Sequence, residues 1–302
     1  MSIAIAPQID FMINNECNAR CHMCIQEITW KSSTEDDLTY LASATKHFTD
    51  YHALGGRKVI ITGGEPTLSI HMVLKILEML GRYSDLELVA MYTNGSRLLR
   101  KIGGHTVAEL LRTAQLQFVN LSIHHWDAKR NDTVFRITKA DPVLVTAHLQ
   151  EIGQRFRFCA TLQKGAMETA EDVLRYLEYA EASGAESVYF RELFTLKGVD
   201  RMSASRPENV DYISEAFVSV ASIIDRCSSR FEKIEDMSGF QGRAKREVGF
   251  RYSNHLEFFF STLEIGNENK DEVPYLVVMP NGDLYSTWHG ELSRLHSLRG
   301  KR

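Results

Sequence analysis

Cys17, Cys21 and Cys24 lie within the single stretch Cys-Asn-Ala-Arg-Cys-His-Met-Cys, directly after the strand-like run Ile9–Ile13. Three thiolates on one tight loop can hold three irons of a cubane [4Fe–4S] cluster, for which cysteine thiolate is the usual ligand. No fourth protein ligand stands beside them, so the fourth iron would stay open, and an open position separates a chemical metal site from a structural one. Zinc would want four ligands, usually from paired Cys-x2-Cys or Cys/His sets. His22 is available, but next to Cys21 it does not easily complete a tetrahedron with its neighbours. Buried core thiols are the other reading, and it does not account for three cysteines among Asn14, Asn15, Glu16, Asn18 and Arg20. Cys159 and Cys227 read most simply as buried thiols.

A second stretch follows, Thr62-Gly63-Gly64-Glu65-Pro66, fed by the short apolar run Lys58–Thr62. This reads as a buried strand ending in glycines, whose missing Cβ lets the backbone approach a ligand. The spacing C-x3-C-x2-C, with the Gly-Gly-Glu-Pro loop after it, resembles the radical S-adenosylmethionine (SAM) superfamily. Farther on, Tyr92-Thr-Asn-Gly95, Val119-Asn-Leu-Ser-Ile123 and Val134-Phe-Arg-Ile-Thr138 resemble the branch that contains the molybdenum-cofactor GTP cyclase and the peptide-modifying maturases. The resemblance covers about residues 9–195.

What it implies is specific. Cys17, Cys21 and Cys24 would carry one [4Fe–4S] cluster whose open iron binds the amino and carboxylate groups of SAM. The loop Thr62, Gly63 and Gly64 would take the SAM amino group, with Glu65 as an outer contact. Asn94 and Ser122 would hold ribose and carboxylate, Leu162 would border the adenine, and the backbone of Met23 would meet it. Arg191, at a strand end and aimed into the barrel mouth, would be a further cofactor-binding residue. An electron from a reduced flavodoxin or ferredoxin would allow SAM to be cleaved to methionine and a 5′-deoxyadenosyl radical, which takes a hydrogen from substrate carbon. The plainer readings stay open beside these. Asn94 is also a turn residue tolerant of left-handed backbone, Ser122 a filler, Lys164 a solvated charge, and Arg191 with Glu192 a mutual pair. The resemblance has two departures. Met23 stands where the family usually has an aromatic, and the C-terminal third holds only Cys227, where second-cluster domains use three or more additional cysteines. The chain therefore reads as a one-cluster protein that fits neither the GTP cyclase nor a cluster-rich maturase directly.

These residues need strands to place them. Apolar runs at Ile9–Ile13, Lys58–Thr62, Leu86–Tyr92, Leu116–Ile123, Arg155–Leu162 and Ser187–Leu193 alternate with helical spacing at Asp36–Ala53, Ile70–Leu80, Val107–Ala114, Pro142–Ile152 and Glu171–Ala182. Thr34 to Asp37 supplies a cap and an acidic first turn. Strand–helix alternation with short loops predicts an α/β fold, a partial (β/α)6 TIM-like barrel with a C-terminal extension, and chemistry at the C-terminal strand ends. The core is assigned to residues 1–200 and a capping extension to residues 201–302. That extension reads as a helix over Pro207–Arg226, strand-like runs at His255–Ser261 and Tyr275–Met279, and a hairpin turn at Pro280-Asn281-Gly282-Asp283. The basic stretch Gly239–Arg246 suits a phosphate or carboxylate, or a solvated charge run. His124, His125, Trp126 and Asp127 crowd the loop after the fourth strand, for proton handling or for capping and packing.

Composition narrows the classes further. The chain has 302 residues, 44% hydrophobic and 25% charged, which is an ordinary globular balance, and its net charge of −4 gives no general attraction to nucleic acid or anionic membrane. No apolar run reaches the ~18–20 residues that span a bilayer. Met1-Ser-Ile-Ala-Ile-Ala-Pro7 has neither the basic start nor the long apolar core of a signal peptide. Clustered cysteines without an even disulfide framework fit a reducing cytoplasm. The expected function is hydrogen abstraction from a small-molecule or natural-product substrate. The competing expectations are a peptide-modifying epimerase or cross-linking maturase, a non-catalytic iron–sulfur redox module, and a zinc-binding interaction protein.

Overall fold

The structure is a computed structural model that describes residues 8–24, 36–193, 207–234, 245–263, 276–286 and 294–295. Its contacts divide the chain into two compact units: Met1–Asn18, Thr29–Val119 and Asn269–Arg302 in the first, Ala19–Ile28 and Asn120–Glu268 in the second.

The first unit is built on three parallel strands, β1 (Ile9–Met12), β2 (Lys58–Thr62) and β3 (Leu88–Thr93). All of β1 is buried, as expected of a parallel strand covered on both faces. Helix α1 (Asp37–Ala53) starts at Asp36, whose carboxylate accepts from the N–H groups of Leu38 and Thr39, and it lays Phe48 edge-on against Phe11. Thr34, the other half of the expected cap, lies outside the described residues. Helix α2 (Ile70–Leu80) buries Met72, Val73, Ile76, Leu77 and Leu80 on one stripe. Helix α3 (Val107–Thr113) opens on a capping box formed by Thr106 and Glu109. On the far side of β1 lies Leu276–Val278, also parallel, with Ile9 level with Leu276. It turns through Pro280–Asp283 into Leu284–Tyr285 as the hairpin predicted, and Gly282 supplies the positive φ of +77° that the turn requires. The order ends at the edge strand Arg294–Leu295.

The second unit takes β4 (Phe118–Ser122) from Asn120 onward, then β5 (Phe156–Thr161) and β6 (Ser187–Arg191), which pair in parallel. Glu257–Leu263 adds a further parallel strand beside β6, and Lys245–Arg251 and Glu232–Ile234 continue antiparallel to the edge. One face is aromatic: Phe158, Phe190, Phe258 and Phe260 are all fully buried, with Tyr176 of helix α6 packed on them. Helices α4 (Ala128–Phe135), α5 (Pro142–Glu151) and α6 (Ala170–Ala182) complete the alternation. Both units therefore carry the open, mostly parallel α/β arrangement expected of a partial barrel.

Two elements differ from expectation. The helix predicted over Pro207–Arg226 is two helices, α7 (Pro207–Ala216) and α8 (Ala221–Ser228). The break has partners that a continuous helix would not leave free: Lys164 N–H bonds the carbonyl of Ala216 at 2.9 Å, and Val220 N–H bonds Glu192 Oε1 at 3.0 Å. Helix α4 was not anticipated, because Ala-Lys-Arg-Asn-Asp-Thr-Val-Phe lacks an apolar stripe. No helix among the described residues is long and apolar enough to cross a membrane.

Candidate functional site

At the end of β1 the first unit brings its two sequence motifs together by backbone contact. Ile13 N–H bonds Thr62 O at 2.8 Å, Gly64 N–H bonds Asn14 O at 3.0 Å, and Glu65 N–H bonds Glu16 O at 2.7 Å. Asn14 adds its side chain, donating to Glu65 O at 3.2 Å and to Ser69 Oγ at 2.9 Å. The glycines are a steric necessity. A Cβ on Gly64 would stand 2.1 Å from Glu16 O and 2.9 Å from Cys17 N, and one on Gly63 would stand 2.9 Å from Asn14 Oδ1. The Gly-Gly loop and the start of the cysteine loop are thus packed main chain against main chain.

Glu65 holds this arrangement from beneath. It is 1% exposed, and its carboxylate accepts four hydrogen bonds: from Thr67 N–H, Thr67 Oγ1 at 2.5 Å, Thr93 Oγ1 at 2.7 Å and Asn94 N–H at 2.7 Å. Both oxygens are engaged within the protein, so Glu65 acts by tying the Gly-Gly-Glu loop to the end of β3. Asn94 is also structural here. Its amide donates to Asn18 Oδ1 at 2.9 Å, Asn18 donates in turn to Ser96 Oγ at 2.9 Å, and Ser96 N–H returns to Asn94 Oδ1. The turn after β3 therefore grips the residue that follows Cys17.

In the second unit the rest of the cysteine loop is held by two helices. Phe135, the last residue of α4, offers its carbonyl to Arg20 N–H at 3.0 Å and to the Cys21 thiol at 3.9 Å. Arg136 turns the chain out of that helix with φ +56°, a left-handed conformation uncommon for a residue with a Cβ. Asn209 of α7, 1% exposed, donates to the carbonyls of Cys21 and Cys24 at 3.4 Å each. His22 stacks on Tyr212 with ring centroids 5.2 Å apart, and Met23 packs against Leu193, Ile213 and Ala216. Burial, and then the charge of the Cys21 thiolate, push the Tyr212 phenol up from its usual range.

The strand ends of this unit carry the remaining candidates. Ser122 is half-buried at the end of β4, and its carbonyl accepts from Lys139 Nζ at 3.2 Å. Leu162 is fully buried with its N–H on Arg191 O, so its side chain belongs to the core. Arg191 is half-buried at the end of β6, while Glu192 turns the other way to Val220. His124 is buried, takes Thr161 N–H on Nδ1 at 3.0 Å and lies 4.7 Å from the Phe135 ring. Burial, with Lys139 and Arg191 adding to it, presses its pKa down to about 3, so this imidazole is neutral at ordinary pH. Asp127 caps α4 and His125 Nδ1 accepts Asp127 N–H, so this loop is built for capping and packing.

The cysteines divide by environment. Cys17, Cys21 and Cys24 are half-exposed and in no disulfide, whereas Cys159 and Cys227 are buried, and burial pushes Cys227 up to about 11. Among the described residues no three His, Cys, Asp or Glu side chains converge to hold a single ion. A cubane does not ask for that, because each cysteine ligates a different iron. Accessible thiols on a loop whose glycine neighbour admits no side chain fit such a cluster. The Asn14, Asn18, Asn209 and Phe135 contacts escape sequence reasoning, because polar loop residues and a main-chain carbonyl carry no pattern; the nearest signals were the asparagines around the cysteines and the Val-Phe-Arg-Ile-Thr stretch.

Residues 12–190, more than half of the chain, match the family described as the radical SAM superfamily. A GTP 3′,8-cyclase of Ectopseudomonas mendocina (strain ymp) is 26% identical over 183 residues, covering 60% of this chain and 52% of that protein. A GTP 3′,8-cyclase of Aliarcobacter butzleri (strain RM4018) is 25% identical over 244 residues, 78% of this chain and 71% of that protein. The chain spans about half the length of the first curated relatives it matches. Among solved structures, Streptococcus suis SuiB bound to S-adenosylmethionine superposes with a TM-score of 0.58 at 14% identity, over 94% of this chain and 61% of that one. The same protein bound to its precursor peptide SuiA gives 0.57 at 15% identity, over 94% and 60%. At that identity the likeness speaks for the fold.

Proposed function

This chain belongs to the radical SAM superfamily, enzymes that use a [4Fe–4S] cluster and S-adenosylmethionine, and on that premise we propose a C–H-activating enzyme with one cluster and a small-molecule substrate. Cys17, Cys21 and Cys24 are the proposed cluster ligands. Bound together, cluster and SAM supply a 5′-deoxyadenosyl radical for hydrogen abstraction. Gly63 and Gly64, with Thr62 behind them, present backbone to the SAM amino group. Glu65 and Asn94 keep that backbone in place through Thr93 and Asn18. Met23, Ser122 and Leu162 lie on the nucleoside side, the last through its main chain. The core is read as residues 1–200, to which residues 201–302 add strands beside β1 and β6. Cys227, the one C-terminal cysteine, is buried, which supports a single cluster. A cytoplasmic setting and a flavodoxin- or ferredoxin-like electron donor complete the proposal.

The observation that carries it is the seating of Gly64 against the Glu16–Cys17 peptide, which makes the glycine loop and the cysteine loop one construction. Anaerobic reconstitution followed by reduction with SAM should yield 5′-deoxyadenosine, and Cys21→Ala should abolish both iron loading and cleavage. Wild-type protein that binds iron but forms no 5′-deoxyadenosine would return the chain to the redox-module reading. Suppression of uncoupled cleavage by a ribosomal peptide, with no response to metabolites, would move the substrate to the peptide class.

A further inference from the structure

Beside the start of the cysteine loop the first unit carries a cavity of about 180 Å³ on the helix-covered face of its sheet. Phe11 packs on Phe48 of α1, and Ile13, two residues on, continues that face into the cavity wall. Met72 of α2 and Pro280 of the C-terminal hairpin turn complete its apolar side. The other side is polar, from Asn14, Glu16, Asp37, Tyr40 and Ser69. Neither the clustered cysteines nor Gly63 and Gly64 line it.

Most of these polar groups are uncommitted. Tyr40 is 2% exposed, yet its hydroxyl has no hydrogen-bond partner, and a buried orphan of this kind calls for a ligand or an ordered water. Burial holds that phenol far above its usual range, so it stays a neutral hydroxyl. Ser69 Oγ accepts from Asn14 Nδ2 at 2.9 Å but caps no helix N–H. Among the described residues the Glu16 carboxylate has no hydrogen bond or ion pair; only its carbonyl is engaged, by Glu65 N–H. Asp37 gives Oδ2 to His71 Nε2 at 2.8 Å and to Lys75 Nζ at 3.8 Å, which leaves Oδ1.

Size and charge together select the guest. A cavity of roughly 150 Å³ accommodates benzene, so about six to eight non-hydrogen atoms fit here, far more than a bare metal ion. No arginine, lysine or histidine lines the space. The helix ends beside it are already capped by acids, α1 by Asp36 and the turn Pro66–Ser69 ahead of α2 by Glu65. Both facts disfavour an anion. A wholly apolar guest would leave the Tyr40 hydroxyl unpaired. An ammonium brings three donors, which two hydroxyl oxygens and a carboxylate can accept.

We propose that this cavity binds a small organic amine, its ammonium toward Glu16, Tyr40 and Ser69 and its hydrocarbon body against Ile13, Met72 and Pro280. The site goes beyond the catalytic reading and does not rest on it. Asn14 and Glu16 belong both to the cavity wall and to the hydrogen bonds that seat the glycine loop, so an occupied cavity braces the segment that leads into Cys17. The test titrates the full chain, anaerobically reconstituted, with n-hexylamine, n-hexanol and hexanoate in parallel by isothermal calorimetry. Wild-type protein should bind the amine about tenfold or more tighter than the alcohol, and the carboxylate not at all. Glu16→Gln should weaken amine binding about tenfold or more, and Tyr40→Phe about threefold or more, as expected for lost hydrogen bonds to a charged group. The Tyr40 hydroxyl has no partner to lose, so Tyr40→Phe should melt no lower than wild type, which separates lost binding from lost folding. Glu186→Gln, which removes an exposed acid paired with Arg155 in the second unit, controls for net charge and should leave binding unchanged. Equal amine binding by wild type, Glu16→Gln and Tyr40→Phe would overturn the proposal. So would hexanol or hexanoate binding as tightly as the amine, or no amine binding by wild type. Displacement of hexylamine by SAM would overturn it too, by giving the cavity to the cofactor.

Discussion

Replacing Gly64 by alanine adds one methyl group where there is no room for it. The new Cβ would lie 2.1 Å from Glu16 O and 2.4 Å from Glu16 C, against a normal contact of roughly 3.5 Å, so the segment before Cys17 must retreat by more than about 1 Å. Overpacking of this kind costs about 1–3 kcal/mol. Loss of the 2.7 Å bond from Glu65 N–H to Glu16 O adds about 1 kcal/mol. A total near 2–4 kcal/mol is survivable for a domain with ~5–15 kcal/mol of stability. A 1 Å error in a reacting constellation, however, costs up to about 10²-fold in rate. Gly64→Ala should therefore fold, melt several degrees lower, load less iron and sulfide, and cleave SAM about 100-fold more slowly. Gly81→Ala is the control. It sits at φ −60° with a Cβ at 3.4 Å from Leu77 O, an ordinary contact, and should be neutral or slightly stabilising. Iron content and 5′-deoxyadenosine formation within twofold of wild type for Gly64→Ala would refute the reasoning.

Three further outcomes follow from the same geometry. Glu65→Gln turns one acceptor of a buried, four-bonded carboxylate into a donor facing other donors, and should cost about 2–3 kcal/mol by urea titration. His124 has a folded pKa near 3 against about 6.5 when unfolded, so the unfolded chain binds the extra proton between those values and stability falls as pH drops through that window. From pH 7 to pH 5 wild-type protein should lose up to about 2 kcal/mol more than His124→Asn, which keeps an acceptor for Thr161 N–H; parallel pH profiles would contradict this. Asn209→Ala removes the one amide that donates to both the Cys21 and Cys24 carbonyls, and should speed iron loss to a chelator several-fold while leaving the first unit's melting unchanged.

Periodicity and local spacing made most of the core visible in the sequence. Lys58–Thr62 and Ile70–Leu80 form over the predicted residues, since a short apolar run into glycine and a five-residue apolar stripe each admit one reading. Helix α4 was hidden because its reason for existing is a terminal carbonyl, Phe135 O, offered to Arg20 and Cys21, and no side-chain pattern records that. The resemblance places Glu65 as an outer contact, but no motif shows that its carboxylate also ties to Thr93 and Asn94 at the end of β3, 28 and 29 residues away. Asn209 meets the cysteine loop across 185 or more residues of sequence, a separation that no motif spans. The split between α7 and α8 depends on Glu192 and Lys164, both far from the break in sequence.

The strand that delivers the cysteines also has an order of assembly written into it. β1 gains its inner neighbour from residues 58–62 but its outer one only from residues 276–278. During synthesis the thiol-bearing segment therefore keeps one ladder of peptide groups unpaired until residues 276–278 have left the ribosome. A chain stopped at residue 263 would retain every cysteine and both glycines yet expose that edge, a template for pairing with another copy. Loading such a nascent chain with iron would fasten a loop whose scaffold is half built, so completion of the last parallel strand is the natural checkpoint before metal delivery.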